Sequence, residues 1–323
     1  VIAAFATLLL DREASRRRLA QRVAAELGEH ERLRDPWGPR LGVRWWLVAT
    51  GVLLGLACSV KWSGIYAVAA FGLAAVAWSV FARRTAGVRL WVGAGLVRDG
   101  ISSFLALVPV AALTYLAGWA SWFAGTGAYN RHWAENVNAV AAVPERTWMP
   151  DALNSWWQYH LQMWAEGNEG DLVEVVLAVG NPVVWWGGAI ALLGVLWWAL
   201  RRRDWRAWAI LVGYAAMYLP WFTYSAPFAN RTIFTFYTVA FAPFVALALA
   251  YALARAFGPT MRPDTALPRE RRRGWWVYGV VVGLAVLVGA FFFPIWIGHP
   301  VPYDFWRTHM WVPTISSLRI GWV

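Results

Sequence analysis

The sequence predicts an all-α, polytopic integral membrane protein, and three observations carry that prediction. Hydrophobic residues make up 59% of the 323 residues and charged residues only 15%, against roughly 25% charged in a soluble domain. Several apolar runs reach the ~20 residues that cross a bilayer core. The arginines fall in short blocks between those runs rather than along one face of a soluble fold. Lipid offers backbone polar groups no outside partner, so the spans are helical.

Taken in order, the apolar runs give about seven complete transmembrane helices at 45–62, 65–82, 101–121, 183–200, 207–224, 232–254 and 275–297. A shorter run precedes them, Val1-Ile2-Ala3-Ala4-Phe5-Ala6-Thr7-Leu8-Leu9-Leu10. Ten apolar residues do not span a bilayer, and neither a basic flank nor a small-residue cleavage site accompanies them, as a signal peptide requires. This run reads as the second half of one truncated helix, so the chain is expected to be an N-terminally truncated, single integral-membrane domain over 1–323. No internal repeat of fixed period is present, and 256–274 is a basic, proline-containing linker.

Orientation follows from the arginines. Segments 11–44, 83–99, 201–206 and 255–273 hold 23 of the 28, and only Arg131, Arg146, Arg231, Arg307 and Arg319 fall on the other side. Basic short loops stay in the cytoplasm. The basic segment 11–44 is therefore expected to be cytoplasmic, and loop 122–182 and the tail after Gly298 extracytoplasmic. The net charge of +11 is thus a topology signal. A nucleic-acid binder shows a basic face on a soluble domain instead. Within 11–35, Leu19, Val23 and Leu27 recur at helical spacing among arginines. Such a stripe either lies on an anionic lipid surface or marks a solvated connector.

Lys61 is the single lysine of the chain, and the topology puts it at the outer end of its span. It is either a snorkelling cation or a compact point charge for an anion such as a phosphate. Trp62-Ser63-Gly64 then turns the chain into the next span, with Gly64 read as supplying backbone freedom. Arg231 opens the span at 232 on the outer side. It is either a bidentate clamp for a lipid phosphate or a partner of the acidic loop 122–182. That loop contains Glu135, Glu145, Asp151, Glu166, Glu169, Asp171 and Glu174 among many tryptophans. Its histidines His132 and His160 are candidate acid–base groups or substrate contacts, or plain surface residues. The lone Cys58 makes no intrachain disulfide, and no ligand pair has the spacing of a metal site. No aspartate or glutamate is read inside a span, so proton-coupled transport gains no support.

An ordered series of motifs resembles a known family. Leu10-Asp11-Arg12 follows the first helix, and the stretch from Gly51 through Gly55, Cys58 and Ser59 to Lys61-Trp62-Ser63-Gly64 is the strongest of the set. Tyr129-Asn130-Arg131-His132-Trp133 and Trp157-Gln158-Tyr159-His160 come next. Then follow Tyr218-Leu219-Pro220-Trp221, Phe234-Thr235-Phe236-Tyr237 with Pro243-Phe244, and Trp306-Arg307-Thr308-His309-Met310-Trp311. In family order and over nearly the whole chain, these resemble the bacterial protein O-mannosyltransferases, glycosyltransferases of C-type architecture that use a polyprenyl-phosphate-mannose donor.

The resemblance implies protein O-mannosylation: mannose passes from polyprenyl-phosphate-mannose to Ser or Thr hydroxyls of secreted proteins, with inversion, at the outer face of the bacterial plasma membrane. The implied partners are the lipid donor and a translocating polypeptide delivered by the secretion translocon, with no covalently bound cofactor. Lys61 and Arg231 are the candidate donor-phosphate ligands. Trp62, Arg131, His132, Tyr159, His160 and Tyr237 are candidate substrate contacts. The family's catalytic Asp-Glu pair has no match here and is expected upstream, so this chain alone is expected to be inactive. The region after Trp164, Ala165-Glu166-Gly167-Asn168-Glu169-Gly170-Asp171, runs quickly into the next span, a shortened outer loop by the family pattern. Transfer of another sugar from a polyprenyl phosphate, or a non-catalytic transporter or scaffold, are the alternatives.

Overall fold

A computed structural model describes residues 1–30, 33–128, 180–224, 235–261 and 267–296. Among the described residues all regular structure is helical, and no strand occurs. Five helices among the described residues are long and apolar enough to cross a membrane, and Trp45–Val60 is a shorter apolar one. Large apolar side chains such as Leu73, Leu113, Ile190, Leu193 and Leu287 are exposed. That costs a soluble protein dearly and suits a surface that faces lipid. The chain forms two compact units, Val1–Leu172 and Val173–Val323.

The first unit is built from α1 (Ile2–His30), α2 (Trp45–Val60), α3 (Gly64–Thr85), α4 (Trp91–Gly118) and the short α5 (Ala120–Ala124). The packing of α2 on α4 depends on two glycines four residues apart. A Cβ on Gly51 would meet the Leu107 carbonyl at 2.9 Å, and one on Gly55 the Ala111 carbonyl at 2.5 Å. Small residues at this spacing let helix backbones approach where lipid supplies no hydrophobic drive between them. The motif glycines of the sequence are therefore packing residues. Phe5 meets Phe71 with ring centroids 5.8 Å apart, and the Thr7 and Thr50 hydroxyls are 2.9 Å apart, which seats the apolar half of α1 on its neighbours.

Several sequence expectations change here. Helix α1 is continuous through the first apolar run and the basic segment. Its stripe meets neither lipid nor solvent alone. Leu19 and Val23 are buried in a cluster with Leu41 and Ala82, while Leu27 stays exposed. Helix α4 starts at Trp91 rather than near 101, and it carries Arg98 and Asp99 inside it, within a π-helical stretch, Ala94–Asp99. Charge made the hydropathy reading stop at residue 99, and a buried ion pair lets the helix continue through it. Asp11 is likewise helical and buried. The expectation that no aspartate or glutamate lies inside a span is corrected at Asp99.

Both buried carboxylates are held by arginine. Arg83, 0% exposed, donates from Nε to Asp99 Oδ2 at 2.6 Å and from Nη2 to Oδ1 at 2.8 Å. Its remaining donors reach the carbonyls of Trp37 at 2.8 Å and Pro39 at 3.1 Å. Arg44 forms a second two-point pair with Asp11 and also reaches Ser103 Oγ at 2.6 Å and Ser79 Oγ at 3.3 Å. This network ties α1, α3, α4 and the residue that opens α2 into one polar end of the unit. The loop 33–43 is docked on the same end. Arg98 pairs with Asp35 at 2.7 Å and stacks over Trp37 at 5.3 Å, and Gly38 takes φ +69° in a slot against Val88. Asp35 has its carboxyl held below the usual carboxylate range by the Trp37 backbone N–H and then by Arg98.

In the second unit α6 (Pro182–Arg201), α7 (Trp205–Tyr218) and α8 (Ala242–Met261) share a core of Ala191, Val195, Ala199, Ala207, Ile210 and Ala248, and α9 (Pro268–Trp296) packs on α6 and α8. Asn181 opens α6. Its side-chain oxygen accepts from the N–H groups of Val183 and Val184, and its amide donates to the Ala285 carbonyl at 2.7 Å, which anchors α9. Asp204 opens α7 by accepting from the Arg206 N–H and also accepts from the Tyr251 hydroxyl of α8 at 2.5 Å. The spans expected at 207–224 and 232–254 are shorter as α-helices. α7 gives way to a 3-10 turn, Leu219–Tyr224, because Pro220 has no N–H to continue the ladder. A second 3-10 turn, Thr235–Ala240, precedes α8, whose Pro243 sits in the first turn where proline is tolerated.

Arg83→Ala leaves Asp99 buried and unpaired, a loss of about 3–5 kcal/mol, and should lower the thermal unfolding midpoint in detergent sharply. The double replacement R83M/D99L should recover most of that loss, because it removes both charges together. The Asp35 contact has a pH signature. A carboxyl with a depressed folded-state pKa stabilises at pH values above its ordinary range and loses that contribution as pH falls through the folded value. The midpoint difference between the wild type and D35N should therefore be present near neutrality and close progressively below the usual carboxylate range.

Candidate functional site

The α2–α3 connection positions Lys61. Its backbone leaves the helix in extended geometry, with φ −156° and ψ 131°, and its N–H donates to the Ala57 carbonyl. Its own carbonyl accepts from the Gly64 N–H at 3.0 Å, and the Trp62 carbonyl accepts from Ile65 at 3.0 Å. The turn is thus closed by backbone bonds and presents the Lys61 side chain at an exposed position. Gly64 is needed for space and not for an unusual φ. A Cβ there would meet the Cys58 nitrogen and sulfur at 3.0 Å, and the positive-φ glycines among the described residues are Gly38, Gly42 and Gly87.

Trp62 is fixed beside it. Its indole N–H donates to the Tyr115 hydroxyl at 2.8 Å, and the two rings meet edge to face at 5.8 Å. The aromatic contacts continue from Tyr115 to Trp119, then Trp122 and Phe123. Lys61 therefore stands at the edge of an aromatic ridge formed by the end of α4 and by α5. Tyrosine and tryptophan favour the membrane–water boundary, where an apolar ring and a polar tip are both accommodated. Arg44 and Lys61 flank the 16-residue α2, so the arginine network and the lysine turn lie about 24 Å apart along the helix axis. The unit is polarised: buried Arg–Asp pairs at one end, one exposed lysine among aromatics at the other.

In the second unit Tyr237 lies on the 3-10 turn before α8 and stacks on Trp221 at 4.4 Å, with ring planes 11° apart. The Trp221 indole N–H donates to the Met217 carbonyl at 2.8 Å, which satisfies a carbonyl left open where α7 ends. Tyr214, Tyr218, Phe222 and Phe241 extend the aromatic set. Trp221 escaped the sequence reading as a site residue although its motif was noted. The signal was the tryptophan directly after Pro220.

Arg231, Arg131, His132, Tyr159 and His160 lie outside the described residues. Among the described residues no three His, Cys, Asp or Glu side chains group as a metal site requires. Sequence reasoning also missed the roles of Asp11, Arg44, Arg83 and Asp99. The available signal was that both aspartates sit beside arginine blocks, but only tertiary structure pairs Asp11 with Arg44 across 33 residues.

No protein-family model matches the chain, and no solved structure matches it. Curated proteins do. The chain is 33% identical, over 97% of its length, to the polyprenol-phosphate-mannose–protein mannosyltransferase of Mycobacterium tuberculosis (strain ATCC 25618 / H37Rv), and it covers 65% of that protein. The protein of the same name from Mycolicibacterium smegmatis (strain MKD8) is also 33% identical over 97% of this chain, with 65% covered. That of Corynebacterium glutamicum is 29% identical over 88%, with 62% covered. The chain thus spans about two thirds of the length of the curated relatives it matches. The alignment to the first runs over 360 residues, more than the 323 of this chain, so that relative carries stretches with no counterpart here. Over nearly its whole length, the chain is similar to the mannosyltransferases that its motifs resemble.

Proposed function

We propose that the protein acts in the transfer of mannose from polyprenyl-phosphate-mannose to Ser or Thr hydroxyls of secreted polypeptides, on the extracytoplasmic face of the plasma membrane. The observation that carries this reading is the 33% identity to named polyprenol-phosphate-mannose–protein mannosyltransferases along 97% of the chain. The polarised first unit supports it. In this reading segment 11–44 faces the cytoplasm, loop 122–182 the opposite side, and Lys61 lies at the outer headgroup level.

The chemistry asks for a cation where the donor's phosphate leaves. The acceptor oxygen bonds to the anomeric carbon from the face opposite the phosphate, the carbon–oxygen bond to the phosphate breaks, and the configuration inverts. Negative charge grows on the leaving polyprenyl phosphate, and a cation already in place stabilises it. Lys61, exposed on a turn closed by backbone bonds and flanked by the Trp62–Tyr115 pair, is the proposed ligand, with Arg231 as the second. Trp62, Tyr237, Arg131, His132, Tyr159 and His160 are the further proposed substrate contacts.

A carboxylate must take the acceptor's proton. Asp11 and Asp99 do not fit that role, since each is bound at both oxygens by an arginine. Both side chains are also buried, so neither presents a free oxygen to an acceptor hydroxyl.

Membranes carrying the wild type, K61A and K61R test the reading with radiolabelled polyprenyl-phosphate-mannose. Loss of a charge-assisted contact should weaken donor binding roughly ten- to a hundredfold in K61A, while K61R keeps part of it. Transfer of label to a Ser/Thr-rich peptide should fall in parallel wherever the wild type supports it. Donor binding unchanged in K61A removes Lys61 from the site. No saturable donor binding by the wild type overturns the mannosyl-donor reading itself.

A further inference from the structure

Helix α9 presents a groove that the transferase reading does not use. An open cavity of about 820 Å³ is lined by Pro268, Arg271, Arg272, Trp275, Trp276 and Gly279, with Val280 at its apolar end. These residues form two adjacent rows at i, i+4 spacing, Arg271–Trp275–Gly279 and Arg272–Trp276–Val280, which are neighbours on a helix surface. The first row continues to Gly283, and a Cβ at either Gly279 or Gly283 would meet no atom of the described residues within 4 Å. From the helix start downward the groove is cationic, then aromatic, then open and apolar, with Val280 beside Gly279 and Gly283. Trp275 and Trp276 are 54% and 63% exposed, so their indoles are available to a ligand.

The charge arrangement points to an anionic occupant. Arg269, Arg271, Arg272 and Arg273 all sit at the start of α9, the positive end of the helix dipole, where cations are disfavoured. The one carboxylate there, Glu270, directs Oε2 to the Leu267 N–H at 3.2 Å and so caps the helix. An anion seated over the first two turns relieves both the mutual repulsion of the arginines and their clash with the dipole. A soluble anion would leave the indoles and the glycine row unused. A phospholipid uses all three levels, with phosphate on Arg271 and Arg272, the ester region against the indoles, and an acyl chain along Gly279 and Gly283. We propose that this groove is a binding site for an anionic phospholipid of the surrounding membrane, with Arg271, Arg272, Trp275, Trp276 and Gly279 as its contacts.

Native mass spectrometry of the detergent-purified chain tests this with phosphatidylglycerol and phosphatidylcholine of identical acyl chains. The wild type should retain phosphatidylglycerol preferentially. R271Q/R272Q should lower that retention roughly ten- to thirtyfold, from about one Lys/Arg-equivalent of surface attraction per arginine. Gly279→Leu should lower it severalfold with no change of charge, by filling the open apolar end. R269Q/R273Q removes the same charge from positions that do not line the groove and should have a clearly smaller effect. Thermal unfolding midpoints matching the wild type establish that each variant is folded, and a variant that fails this check is replaced by its single-site form. Equal retention of the two lipids overturns the proposal. Equal losses in R271Q/R272Q and R269Q/R273Q also overturn it, since attraction is then generic. Intact lipid retention in Gly279→Leu, with a changed oligomeric state, overturns it as well and assigns the glycine row to helix packing.

Discussion

Two arginine–aspartate pairs buried among helices organise the first unit. A charge taken out of water is tolerated only when an opposite charge and hydrogen bonds surround it. Arg83 and Arg44 meet that condition in full. Each binds both oxygens of an aspartate and spends its other donors on carbonyls or serine hydroxyls. The planar guanidinium, with donors in a fixed fork, suits this better than a lysine could. Because partners come from α1, α3, α4, the start of α2 and the loop 33–43, satisfying two charges sets the relative position of all of them at one end.

Glycine sets the rest of that arrangement. Where every surface is apolar, hydrophobic burial does not choose between helix pairings, and close van der Waals contact does. Gly51 and Gly55 let α2 reach the α4 backbone, and Gly213 lets α7 approach Phe244 of α8 in the second unit. The same α2 glycines open the motif that ends in Lys61. Helix packing and the candidate site are therefore coupled along one helix: its glycines fix how α2 lies, and its C-terminal turn places the lysine. Arg83 and Arg44 are consumed by structure, while Lys61 stands exposed on a backbone-closed turn next to Trp62, which is tied to Tyr115.

The second unit uses polar residues differently, as anchors at helix starts. Asn181 and Asp204 each cap a helix and also bind another helix, so one side chain both satisfies open N–H groups and holds a tertiary contact. The 3-10 turns on either side of the residues between α7 and α8 place Trp221 and Tyr237 in a parallel stack. A tightened turn after a proline is what brings that tryptophan round beneath its own helix end, where the indole meets the Met217 carbonyl.

Composition, apolar run length and arginine placement were enough to establish a polytopic helical protein, because lipid imposes one solution on any long apolar segment. Motif order was enough to single out the mannosyltransferases, since ordered residue identities carry family likeness without any knowledge of packing. Helix α4 shows where that reading stops. Hydropathy ended at Arg98 and Asp99 because a lone charge does end a span, and the partner that cancels it, Arg83, lies on a different helix. The stripe at Leu19 and Val23 is a similar case: its cover, Leu41 and Ala82, is remote in sequence. Gly64 is the local counterpart, legible as a required glycine, with the reason being the nearness of Cys58 rather than a backbone angle. Local chemistry and solvent are written in the order of residues. Which charge meets which, and which surface is already covered, depends on distances between helices that only the folded chain defines.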